Sequence, residues 1–147
     1  MTPLERDARL SALHAEIRQV IDRFVEDHLD VAIFEAFKAI NNCVKRMTGL
    51  NLDGSKLMDD ALGRPNPKII FVDQSTQTGQ DIQQRLHVMF KGAVQAIRNP
   101  DAHEQFQLLD EQEGLEELAF VSMLIHKLDV ATTKQKNGTA WPNVTDR

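Results

Sequence analysis

The sequence predicts an all-α protein: a bundle of about four main helices, with a long crossover that holds a short helix and one extended segment. Three observations carry this reading. Apolar residues recur at three- and four-residue spacing over four separate stretches. The apolar set is mostly Leu, Ile, Val, Ala and Phe, with one Trp and no Tyr, a mix that suits helices better than a β-sandwich. Turn formers are few, 7 Gly and 5 Pro in 147 residues, and several fall together in Gly63-Arg64-Pro65-Asn66-Pro67.

Leu10, Leu13, Ile17, Val20, Ile21 and Phe24 form the stripe of a first amphipathic helix, with Pro3 and Glu5 suited to its first turn. Ile33, Phe37, Ile40, Val44 and Met47 form the stripe of a second, stopped by Gly49 as a C-terminal cap. The join near Glu26–Asp30 has neither Gly nor Pro, which allows a tight turn or a bend in one long helix. Asp53-Gly54 signals a turn, after which Ser55 caps a short helix through Leu62. Beyond the breaker cluster, Lys68–Asp73 has the β-branched, apolar character of an extended segment without an evident pairing partner. Polar Gln74–Gln80 completes an exposed connection. From Asp81 the helical period returns in Ile82, Leu86, Met89, Phe90, Ala93 and Ile97. The last helix carries Leu115, Leu118, Ser122, Ile125 and Asp129 on one row, with Val121, Leu124 and Leu128 beside it. Asp110, Glu111 and Glu113 at its start and Lys127 near its end agree with the helix dipole.

A chain of this length is large enough to bury one core of its own. The formal net charge of -5 counts against a non-specific nucleic-acid binder, which is normally basic, though an enzyme can still gather cations in one cleft. Cys43 is the only cysteine, which excludes an internal disulfide and a cysteine-based zinc site. No apolar run resembles a signal peptide or reaches membrane-spanning length, so a cytoplasmic location is expected.

The run Arg98-Asn99-Pro100-Asp101-Ala102-His103-Glu104 stands where the third long helical stripe ends. Arginine keeps its charge in proteins, and its planar fork suits a phosphate or the pentacovalent phosphorus that follows it. Histidine both takes and gives a proton near neutrality. Metal-free cleavage of an RNA phosphodiester needs that pair. His103 would act as general acid or base and Arg98 would stabilise charge growing on the phosphoryl oxygens. Asn99 is either a supporting hydrogen-bond donor or only the N-cap before Pro100, and Glu104 either tunes His103 or simply suits a helix start. Taken alone, the run also fits ordinary punctuation between two helices. One such histidine per chain is short of a second proton carrier, which a two-fold dimer would supply.

Arg98–His103 matches the Arg, four to six residues, His signature of HEPN-domain ribonucleases. More narrowly, Leu13-His14, the stretch from Ala32 to Ala39, Asp53–Met58, Phe90–Ala93, Arg98–Glu104 and Glu117–Asp129 resemble the Ymh family of phage- and prophage-associated bacterial proteins, over roughly residues 10 to 130. The resemblance implies a HEPN-like helical domain, at 1–131, and the stretch 132–147, polar and without a period, is expected to be a mobile C-terminal tail. It also implies a homodimer with the active site at the interface, and a metal-independent endoribonuclease acting in phage defence or as a toxin. RNA and an antitoxin protein are the partners so implied, and no cofactor. Asp27-His28-Leu29 departs from the His-Tyr context of some relatives. The alternative is a non-catalytic, dimerising module that binds a partner protein or nucleic acid.

Lys38 and Lys91 are candidate substrate-binding positions, although Glu35 and Lys38 at i,i+3 also suit a solvated ion pair. His14, His87 and His126 have no metal-ligand spacing to one another and are expected at the surface or its boundary. Adjacent carboxylates at Asp59-Asp60 and Glu116-Glu117 diverge on a helix, so no metal site is expected.

Overall fold

Around helix α3 (Leu29–Thr48) the computed structural model, which describes residues 1–24, 29–95 and 110–133, packs α2 (Ala15–Phe24), α4 (Gly54–Leu62), α5 (Gln77–Val94) and α6 (Glu111–Asp129). A further helix, α1 (Pro3–Ser11), precedes them. The expected stripes are the buried ones: Ile33, Phe37, Ile40 and Val44 of α3, Leu86, Phe90, Ala93 and Val94 of α5, and Leu118, Val121, Leu124, Ile125 and Leu128 of α6 share one core with Ile17 and Ile21 of α2. Gly49 closes α3 at φ 70, the left-handed conformation that costs glycine little, and its N–H donates to the Lys45 carbonyl. The described residues thus form an all-α bundle of six helices with one small sheet. No helix among them is long and apolar enough to cross a membrane.

The first expected helix is in fact two. The chain breaks at Ala12–His14 because His14 serves as the cap of α2: its Nδ1 accepts the Glu16 N–H at 3.0 Å, and its own N–H donates to Ser122 Oγ on α6 at 2.8 Å. Leu10, Leu13 and Ile17 remain at helical spacing across the break, so periodicity cannot reveal it.

The helix starts differ as well. Gly54, at φ 64, opens α4 in place of a Ser55 cap. Asp53 makes no cap bond because its carboxylate accepts from Asn41 Nδ2 (3.0 Å) and Lys45 Nζ (3.1 Å). Helix α5 starts at Gln77, inside the expected polar connection, where Thr76 Oγ1 accepts the Gly79 N–H.

The extended segment has a partner after all. Ile69–Ile70 (β1) pairs antiparallel with Thr132–Thr133 (β2), Ile69 opposite Thr133 and Ile70 opposite Thr132. The first two residues of the expected tail therefore close onto the crossover. Gln83 of α5, fully buried, holds the same segment: its Oε1 accepts from Phe71 N–H, and its Nε2 donates to the carbonyls of Leu62 and Ile69. The Phe71 and Phe90 rings stack at 5.4 Å between centroids.

Candidate functional site

Arg98, Asn99, His103 and Glu104 lie outside the described residues, as does His28. What the structure describes is the two helices that bracket the motif in sequence. Helix α5 reaches Val94 with Leu86, Phe90, Ala93 and Val94 in the core. Helix α6 starts at Glu111, where Asp110 Oδ1 accepts the Glu113 N–H at 2.9 Å, a side-chain cap that suits the acidic first turn. On α6, burial and the nearby Glu113 push the Glu117 carboxyl above the usual carboxylate range.

The two lysines considered for substrate binding are both engaged. Lys38 Nζ lies 3.6 Å from Glu35 Oε1, the i,i+3 pair that the spacing suggests, and 5.5 Å above the Phe34 ring. Lys91 Nζ donates to Asp59 Oδ2 at 3.0 Å, and His87 Nε2 meets Asp59 Oδ1 at 2.8 Å. Burial raises the Asp59 carboxyl, but the hydrogen bonds from Lys91 and His87 outweigh it and leave the carboxyl below its ordinary value. His87 Nδ1 is buried and has no hydrogen-bond partner among the described residues. Alanine at Gly63 would run into the Asp59 carbonyl and approach His87 Cε1, so Gly63 is the residue that admits this close packing of α4 on α5.

A second grouping was not legible in the sequence. His14, at the start of α2, and His126 and Asp129, on the last turn of α6, bring their ligand atoms within 4.8 Å of one another. His14 Nε2 is 2.6 Å from Asp129 Oδ2, His126 Nδ1 is 4.0 Å from the same oxygen, and the two imidazoles meet edge to face at 4.7 Å. Because His14 Nδ1 accepts the Glu16 N–H, the neutral ring carries its proton on Nε2 and donates it to Asp129. The one signal in the sequence is the i,i+3 spacing of His126 and Asp129, which puts both on one helix face. Beside them opens a cleft of about 650 Å³, walled by Leu13, Leu115, Ala119 and Met123 and edged by Arg9, Glu116, His126 and Lys127.

Cys43 is half-buried. Burial and the negative charges of Glu16 and Asp129 raise its thiol, against a smaller lowering by Arg46, so it stays protonated and unreactive near neutrality.

A family model described as "Protein of unknown function (Hypoth_ymh)" matches residues 11–128. That range takes in α2 to α6 and most of the chain, and the chain belongs to this family. No curated protein and no solved structure shows significant similarity to it.

Proposed function

We propose that this member of the Hypoth_ymh family is a metal-independent endoribonuclease of HEPN type, acting as a homodimer in phage defence or as the toxin of a toxin–antitoxin pair. The observation that carries the reading is the sequence Arg98-Asn99-Pro100-Asp101-Ala102-His103, standing between the last two long helices of an all-α bundle. Both helices that flank it in sequence are anchored in the core over several turns.

In this reading a base removes the 2′-OH proton of the substrate and the oxygen attacks the adjacent phosphorus. An acid then protonates the departing 5′-oxygen. His103 serves as one proton carrier and its copy in a second chain as the other, each worth roughly 10²–10⁴-fold. Arg98 stabilises the charge on the equatorial oxygens. The products are a 2′,3′-cyclic phosphate and a 5′-hydroxyl. Asn99 and Glu104 support the pair, and Lys38 and Lys91 would have to exchange their present carboxylate partners for phosphate.

The test is incubation of purified wild type and His103→Ala with mixed cellular RNA in EDTA, followed by end-group analysis. Cleavage by wild type alone, leaving cyclic-phosphate ends, is the expected result. Equal cleavage by both proteins would remove His103 from the mechanism. Absence of cleavage by either would favour a non-catalytic dimerising module. The net charge of -5 and the largely apolar cleft beside α6 favour that second reading.

A further inference from the structure

We propose that His14, His126 and Asp129 bind one first-row divalent cation of zinc-like preference, through residues that the ribonuclease reading does not use. Two imidazoles and one carboxylate form a mixed nitrogen and oxygen set. That set suits Zn²⁺ and its neighbours, whereas Mg²⁺ and Ca²⁺ prefer oxygen alone. The ligands come from two elements that the core already holds together: α6 presents His126 and Asp129 three residues apart, and the cap of α2 brings His14 against them.

The distances are close to what coordination requires. Bonds of about 2.0–2.2 Å in a tetrahedral site put neighbouring ligand atoms roughly 3.3 Å apart. The 2.6 Å separation of His14 Nε2 and Asp129 Oδ2 would open slightly, and the 4.0 Å separation of His126 Nδ1 from that oxygen would close slightly. Small changes of side-chain torsion accomplish both, because His126 and Asp129 are exposed. The short contact now holds the His14 Nε2 proton. The metal takes that position, and the histidine that ligates it must carry its ring proton on Nδ1.

Charge argues in the same direction. Among the described residues Asp129 has no Lys or Arg partner, and the two groups facing it are imidazoles. A structural tie between α2 and α6 accounts for His14 and Asp129, but it leaves no role for the exposed His126 that leans toward the same carboxylate. His126 also edges the 650 Å³ cleft, so the remaining coordination positions face open space that water or a small anion can enter.

One feature of the site sets its strength. His14 Nδ1 accepts the Glu16 N–H, and a proton on Nδ1 displaces that bond. Metal binding is therefore weaker than in a closed structural zinc site, whose histidines donate through the second ring nitrogen to an acceptor. It also leaves a signature at a residue that touches no metal, the backbone amide of Glu16.

The experiment is equilibrium dialysis of the full chain against Zn²⁺ with metal analysis, together with the visible spectrum of the Co²⁺ form and amide spectra with and without Zn²⁺. Wild type should take up one equivalent, show the absorption of a tetrahedral Co²⁺ site, and shift the Glu16 amide. His126→Ala, which leaves the His14–Asp129 bond and the core intact, should bind at least tenfold more weakly with an unchanged circular dichroism spectrum. Asp129→Ala should do the same. Failure to bind, or equal binding by wild type and both variants, would overturn the site. Because RNA cleavage is assayed in EDTA, the ribonuclease reading stands or falls on a separate result.

Discussion

Gln83 shows how much one polar side chain can organise. It is fully buried in an apolar core, yet its two polar atoms take three backbone partners along the crossover: Phe71 N–H, Leu62 C=O and Ile69 C=O. Removing it would strand one buried donor and two buried acceptors, at a cost of about 3 kcal/mol. Gln83→Ala and the better-filling Gln83→Leu should therefore be destabilised by similar amounts in denaturant titrations. Full recovery in the Leu variant would show that packing, not hydrogen bonding, is the reason for the glutamine. The sequence marks Gln83 only as one more polar residue on an amphipathic helix. Its partners are 12 to 21 residues away, along a segment whose path the sequence does not reveal.

Helix α1 illustrates the opposite case, a helix that local chemistry specifies and the core hardly holds. Thr2 and Glu5 form a reciprocal capping box: Thr2 Oγ1 accepts the Glu5 N–H at 3.1 Å, and Glu5 Oε2 accepts the Thr2 N–H at 2.7 Å. Pro3 stands at the first helical position, and no residue of the helix is buried. Its ties to α6 are exposed, Arg6 to Glu111 and Arg9 to Gln112, and such pairs contribute little. Amide exchange should be far faster in Pro3–Ser11 than in the α3 stripe from Ile33 to Val44, with protection at α1 reduced further by Thr2→Ala. Equal protection in the two helices would mean that α1 is held by contacts beyond these. Pro3 and Glu5 were legible in sequence as first-turn residues, but neither the Thr2 cap nor the break at Ala12–His14 was, the latter because a short cap preserves the apolar phase on either side.

At the scale of the molecule, the carboxyls divide by the sign of their shifts. Glu5, Asp59 and Asp73 are lowered, Glu5 and Asp73 mainly by hydrogen bonds from Thr2 and Ser75, and Asp59 by Lys91 and His87 against its burial. Their contribution is present above the unfolded values of about 4 and is lost as pH falls through the lower folded values. Glu117 has the opposite sign, raised by burial and then by Glu113. Its contribution is present below the unfolded value and lost as pH rises through the folded one, so at neutrality its charge opposes the fold. Glu117→Gln should raise Tm at pH 7 and leave it nearly unchanged at a pH below about 4. An equal shift at both pH values would indicate a packing effect instead. The outcome bears on function as well, because Glu113 and Glu117 stand early in the helix that follows the Arg98–His103 sequence.

The all-α class, the apolar stripes of the long helices, the Gly49 cap and the membership shown by the match over residues 11–128 were all readable from the residues in order, because they are written in local spacing or in extended similarity. It also supplies the chemistry of Arg98 and His103, on which the proposed ribonuclease rests. The pairing of Ile69–Ile70 with Thr132–Thr133, and the meeting of His14 with Asp129 from 115 residues away, became visible only once the helices were packed. Those contacts follow from how α2, the crossover and α6 pack about α3, and no pattern within any one of those segments encodes the identity of its partner.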